Sequence, residues 1–169
     1  MEIRNYQEKD LPQMTEIWNE IVEAANAFPG DHSLSADEAA AMFAAQTDTV
    51  CACEGDQVLG LYILHPNNIG RCSQIANASY GVSKNARGKG IGRLLVTHSL
   101  QKAREDGFVG LQFNAVVCTN AAAIALYEDL GFRRIAQIPN GYRLKDGSYT
   151  DTIVFFYPLA GREPIIGGN

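Results

Sequence analysis

Acidic residues are missing from a long central span of this chain: from Gln57 to Arg104 there is neither Asp nor Glu. Also absent is an apolar leader, since the chain opens MEIRNYQEKD, and with it a secretory reading; the expectation is a cytoplasmic protein. No apolar run approaches the length that spans a bilayer, so no membrane partner is expected. Repeats and low-complexity segments are lacking too. Four cysteines, Cys51, Cys53, Cys72 and Cys118, are enough for a disulfide or a metal site. Cys51 and Cys53, two apart in an expected strand, face one side in a geometry that suits neither a bridge nor a metal. All four read as reduced, small apolar residues, and no metal site is expected. Net charge is −5, from 14 cations and 19 anions, which argues against general affinity for nucleic acid.

What is present bounds the fold. The 169 residues, 46% hydrophobic and 20% charged, suit one globular domain over 1–169 with a sizeable core. The acid-free span holds seven cations: Arg71, Lys84, Arg87, Lys89, Arg93, Lys102 and Arg104. Taking those seven from a total of −5 leaves −12 on the rest of the chain. Such a span is either a solvated basic face or the dock of a polyanionic ligand.

Periodicity predicts the elements. Glu2 to Tyr6 reads as a first strand. Asp10, with Gln13 as capping-box partner, opens a helix through Met14, Ile17, Trp18, Ile21, Val22 and Ala25 that ends near Phe28-Pro29-Gly30. Ser35 with Glu38 caps a short second helix. The loop AFPGDHSLS between them is either a connector or a substrate-facing lid. Val50 to Cys53 and Val58 to Leu64 flank a hairpin turn at Glu54-Gly55-Asp56-Gln57, and His65-Pro66-Asn67-Asn68 breaks the second strand. Ser73 to Val82 is a further strand. Ile91, Leu95, Val96, Leu100 and Ala103 then share one helix face, and Leu111 to Val117 follows as a strand. Asn120 caps a last helix that Gly131 closes. Phe132 to Ile138 and Thr152 to Tyr157 are strands, with Gly141 to Asp151 a polar loop between them. The class is mixed α/β, mostly antiparallel.

Between Ser73–Val82 and the following helix lies YGVSKNARGKGIGRLL, residues 80–95. Gly88, Gly90 and Gly92 alternate with Lys89 and Ile91, between Arg87 and Arg93. Glycines at this density let a ligand approach the main chain, and the free N–H groups that open a helix attract anions. The expected ligand is a phosphate or pyrophosphate. A dinucleotide fingerprint fails on spacing, because Arg93 stands where its third glycine belongs; a P-loop fails because Gly90 follows Lys89.

Arg87-Gly88-Lys89-Gly90-Ile91-Gly92 resembles the R/Q-x-x-G-x-G/A segment of the GNAT superfamily of acetyl-CoA-dependent N-acetyltransferases. Asn120 to Phe132, NAAAIALYEDLGF, resembles the superfamily's second signature, an Asn followed by small residues and L-Y-x-x-x-G-F. The resemblance implies a GNAT-like α/β (α+β) fold with a six- to seven-stranded, mostly antiparallel sheet. About four helices would flank it, and the sheet would splay between its fourth and fifth strands. It also implies acetyl-CoA as cofactor. N–H groups of residues 87 to 93 would hold the pyrophosphate, helped by the Arg87 and Arg93 side chains. Main chain at Tyr80, Gly81 and Val82 would pair with the pantetheine arm, with an N–H near Val82 polarising the thioester carbonyl. Asn120 would touch the cofactor and Tyr127 would protonate the leaving thiolate.

A narrower likeness is to N-acetyltransferases acting on proline analogues such as azetidine-2-carboxylate. It rests on Ile75 to Tyr80, Phe113-Asn114, Arg143-Leu144 and Tyr149-Thr150-Asp151. It implies Asn77, Asn114 and Asn120 near the acceptor, although that group often has Trp where this chain has Tyr127. Many relatives carry an acid on the fourth strand as base, and Ser73 to Val82 has none. Glu20, Glu23, Asp31, His32 or a water chain on Asn77 are the alternatives, and neither His65 nor His98 receives a role. Three functions stay open. They are acetyl transfer to a small amine, a binding module that kept the cofactor site but lost chemistry, and acetylation of a protein N-terminus or lysine. A homodimer is compatible with the resemblance.

Overall fold

Gly55, at φ +59°, and Asp56 turn the chain back, and the apolar runs on either side pair as antiparallel strands. In the computed structural model, which describes residues 1–161, these are β2 (Asp48–Glu54) and β3 (Gln57–Pro66). The other strands are β1 (Glu2–Asn5), β4 (Ile75–Val82), β5 (Gly110–Val117), β6 (Arg133–Arg143) and β7 (Tyr149–Pro158). The helices are α1 (Leu11–Ala24), α2 (Ala36–Ala44), α3 (Ile91–Glu105) and α4 (Ala121–Asp129). The last eight residues of the single domain expected over 1–169 lie outside the described residues.

The seven strands form one sheet in the order β1-β2-β3-β4-β5-β7-β6. All pairings are antiparallel except β4 with β5, which run parallel; a mostly antiparallel sheet of this size is what the resemblance implied. β2 and β3 are buried on both faces, so their side chains divide between two cores. Cys51, Cys53, Leu61 and Ile63 meet Met14 and Ile17 of α1 and Phe43 of α2. Val50, Ala52, Tyr62 and Leu64 meet Leu95, Val96 and Leu100 of α3. The two cysteines therefore share a face as expected. Both are free thiols, and burial pushes Cys51 up to about 12.

Several local expectations change. α1 stops at Ala24, with Ala25 left-handed at φ +50°, four residues before the Pro29-Gly30 breaker. The Asp10–Gln13 capping box does not form. Asp10 binds Arg4 instead, and Gln13 spans to the β2–β3 hairpin, donating to the Asp56 carbonyl and accepting from Val58 N–H. The expected polar loop from Gly141 to Asp151 shrinks to Leu144–Ser148. A bulge in β6 between Ile138 and Tyr142 lets pairing resume at Tyr142↔Thr150 and Arg143↔Tyr149. Ser35 and Glu38 make the predicted reciprocal cap, and Gly131 the predicted left-handed close at φ +97°.

Asp48 and Asp106 share Lys102, whose Nζ lies 3.5 Å from the first and 2.9 Å from the second. The second Asp48 oxygen is buried with no hydrogen-bond partner among the described residues. Burial, and then the neighbouring Asp106 carboxyl, push Asp48 up to about 6. A carboxyl raised on folding stabilises the fold below its unfolded value and loses that contribution as pH rises through the folded one. Stability should therefore fall between about pH 4 and pH 6, by of order 2 kcal/mol. Urea unfolding of Asp48→Asn should show that slope flattened, and a variant more stable than wild type at pH 7.5.

Candidate active site

Gly88 and Gly90 hold φ +74° and +77°, and nothing lies within 4 Å of where a Cβ would stand on either. The loop thus shows bare main chain to its surroundings. Leu94 is the first residue of α3 whose N–H donates back, to Gly90, so those of Ile91, Gly92 and Arg93 point out unpaired. Ile91 anchors the helix start in the core, while a Cβ on Gly92 would meet Leu126 at 3.6 Å, an ordinary contact. Unpaired N–H groups at a helix start have the chemistry of an anion cradle. Of the two arginines, Arg87 lines the adjoining groove and Arg93 forms an ion pair with Asp129 of α4. Lys89 is exposed on the loop.

Beyond the loop the sheet opens. β4 and β5 pair only at Ile75↔Gly110 and Ala76↔Leu111. Gly110 is required at that junction, since a Cβ there would stand 2.5 Å from the Phe156 ring. A bulge between Phe113 and Val116 then bends β5 away and carries Asn114 and Ala115 into the gap. The Ser83 N–H donates to Leu59 and the Ile75 carbonyl accepts from Asn67, so odd residues of β4 direct their main chain to β3. Ala78, Tyr80 and Val82 therefore direct theirs into the gap. Gly81 does not: it pairs with Leu61, and α1 packs over it with Ile21 2.8 Å from a would-be Cβ.

The gap is a cleft of about 490 Å³ that continues past Ala27, Tyr80 and Asn120 into a groove of about 540 Å³ holding Arg87. Asn120 caps α4, its side chain accepting from Ala123 N–H at 3.3 Å, while facing both spaces. Tyr127 enters from α4, its ring 4.6 Å from Phe113 and 5.7 Å from Phe155. Burial pushes its phenol up from the ordinary value near 10. Its hydroxyl has no hydrogen-bond partner among the described residues. The Tyr80 hydroxyl, by contrast, is held by Ser99 at 2.7 Å.

At the far end the predicted Asn77 and Asn114 meet through a third residue. The Asn67 Oδ1 accepts from Asn77 at 3.1 Å and from Asn114 at 2.7 Å, and Gln112 donates to Asn114 at 3.0 Å. Asn67 escapes a sequence reading because His65-Pro66-Asn67-Asn68 looks like any turn. Ala27, Phe28 and Pro29 cover this end, so the loop after α1 faces the cleft. The Tyr142 hydroxyl donates to the Phe28 carbonyl at 2.7 Å and straps that loop to β6. None of the four suggested base residues lines the cleft. Glu20 pairs with Lys84, Glu23 accepts from Ser33, and Asp31 pairs with His32 in the open.

A family model described as the acetyltransferase (GNAT) family matches residues 11–132. The chain belongs to that family. N-acetyltransferase aca1 of Schizosaccharomyces pombe is 39% identical over 107 residues, covering 63% of this chain and 51% of aca1, so the chain spans about half of that relative's length. A GCN5-related N-acetyltransferase from Kribbella flavida is 32% identical with a TM-score of 0.87, covering 93% of this chain and 96% of that one. The structure of yncA from Salmonella typhimurium, solved with its cofactor acetyl-CoA, gives 25% identity and a TM-score of 0.89 over 98% and 97% of the two chains. Acetyl-CoA is the cofactor of the GNAT family. The glycine loop, the outward main chain of β4 and the continuous groove fit a long molecule with a diphosphate near one end and a reactive thioester at the other.

That fit has a test at Gly90. A side chain there must hold φ +77°, which costs about 1–2 kcal/mol for a residue other than Gly. Gly90→Ala should weaken acetyl-CoA by about tenfold or more, read as the Kd from calorimetry, and the same strain should lower the melting temperature by about 2–8 °C.

Proposed function

We propose that this GNAT protein is an acetyl-CoA-dependent N-acetyltransferase that passes the acetyl group directly to the primary or secondary amine of a small metabolite, an amino acid or an analogue of one. The bound cofactor supplies an activated acetyl thioester. The N–H groups of residues 87 to 93 and the Arg87 side chain hold the diphosphate; the main chain of Ala78, Tyr80 and Val82 aligns the arm. A β4 N–H aimed into the cleft, near Val82, polarises the thioester carbonyl. Tyr127 gives its proton to the departing sulfur. Asn77, Asn114 and Asn67 orient the acceptor through neutral hydrogen bonds, which leaves the amine free to lose a proton.

The observation that carries the small-molecule reading is the strap at the acceptor end. With Phe28 and Pro29 over the cleft and Tyr142 holding them, the space suits a compact acceptor better than an extended peptide. Arg143 and Lys145 rim the neighbouring groove beside Pro29 and supply countercharge for a carboxylate, as on an amino acid. The test is thiol release from acetyl-CoA across a panel of amino acids, cyclic imino acids, polyamines and peptides. Turnover with free amino or imino acids supports the proposal. Turnover with peptides alone moves the acceptor to a protein. Cofactor binding without turnover on any amine leaves a binding module.

A further inference from the structure

We propose that His65 is the base that takes the proton from the acceptor amine, acting from a recess beside the cleft; this rests on reading the cleft as the site of acetyl transfer. His65 lies near the end of β3, directly across from Asn77 of β4 in the antiparallel register. Residues so paired share a face and stand close together. That face bears the asparagine cluster and the covering loop. His65 lines a recess of about 400 Å³ that shares Phe28, Pro29 and Ser79 with the cleft.

The ring is already set for this work. Its Nδ1 lies 2.9 Å from the Pro66 carbonyl oxygen, which can only accept, so Nδ1 carries the hydrogen and Nε2 carries the lone pair. Titratable groups of the cleft and groove offer nothing comparable. Tyr80 and Tyr127 hold their protons, and Arg87 is a permanent cation. The elements around the recess bring Trp18 from α1, Met42 from α2, Gln46 just beyond it and Ser79 from β4, none of them charged. Asp31 and His32, on the covering loop, are paired with each other and line neither space. Among the described residues lining cleft, groove and recess, His65 supplies the imidazole, with a ring nitrogen lone pair left free by the Pro66 contact.

An N–H bond of the incoming ammonium breaks, its proton bonds to Nε2 directly or through one water, and the freed lone pair forms the new C–N bond. As the C–S bond breaks, the Tyr127 O–H gives its proton to sulfur, and its phenolate takes the second proton from nitrogen. His65 then releases its proton to solvent.

His65→Gln should lower kcat by about 10²-fold, with the acetyl-CoA Kd and the melting temperature unchanged. The wild-type rate should fall on the acid side, and that limb should vanish in the variant. In His65→Ala, added imidazole should restore part of the rate, which keeps the test open if the glutamine variant folds poorly. An unchanged kcat and acid limb overturns the assignment, as does a loss confined to the acceptor KM. A wild type without turnover on any amine overturns the acetyl-transfer reading and this inference with it.

Discussion

Tyr127→Phe should lower kcat by about 10²- to 10³-fold while leaving the acetyl-CoA Kd and the melting temperature in place. The ring is held by Phe113, Phe132 and Phe155, with Phe113 nearest at 4.6 Å, and a phenyl group keeps those contacts. Only the hydroxyl goes, and it makes no hydrogen bond that the fold would miss. Its burial raises the phenol, so donation to a thiolate, whose ordinary value is near 8.5, runs uphill in the resting protein. The step becomes feasible only if the phenolate is discharged at once by the surplus proton on the positively charged nitrogen of the tetrahedral adduct, before the amide is complete. The variant should therefore lose kcat and kcat/KM together, the signature of an interaction made in the transition state. No alkaline limb below about pH 10 should belong to Tyr127, because burial holds its proton beyond the ordinary phenol range. A rate equal to wild type would remove Tyr127 from the chemistry.

The parts of this molecule that the sequence reveals are those in which one residue type meets one local demand. Gly88 and Gly90 need positive φ, Ser35 and Asn120 need a following N–H, and Gly131 needs a left-handed close. Each can be read from a few neighbours. The strand alternation that buries Cys51 with Cys53 is equally local. The candidate site is different, because it is made by the divergence of β4 and β5 and by what that gap collects. Asn67 joins Asn77 and Asn114 only because the end of β3 returns beside both. His65 meets Asn77 through a register that turn residues do not announce. Gly81 misleads in the other direction: it stands within the motif, yet its lack of a side chain serves the packing of α1. Asp10 misleads likewise, since a good N-cap residue is drawn off by an arginine on β1.

Asp10→Ala should destabilise the fold by about 3 kcal/mol, lowering the melting temperature by roughly 6–12 °C for a chain of this size. Asp10 is 1% exposed, and Arg4 grips it with Nη1 at 2.7 Å and Nη2 at 3.2 Å, while the Gln7 N–H donates to it at 2.7 Å. Removing the carboxylate strands a largely buried guanidinium and a main-chain donor. Leaving one partner behind costs more than the pair contributes, so Arg4→Met with Asp10→Ala should recover part of the loss. The pH dependence has a definite sign. The hydrogen bond from Arg4 is the chief cause holding Asp10 below the usual carboxylate range. A carboxyl lowered on folding stabilises above its unfolded value and loses that contribution as pH falls through the folded one. The gap between wild type and Asp10→Ala should thus be full at pH 7 and shrink below about pH 4. Asp48 acts in the opposite sense, losing its contribution as pH rises through about 6. The contributions of these two carboxyls therefore slope in opposite directions on either side of about pH 4. Acid melts of Asp10→Ala should lack the low-pH fall, and those of Asp48→Asn the neutral one.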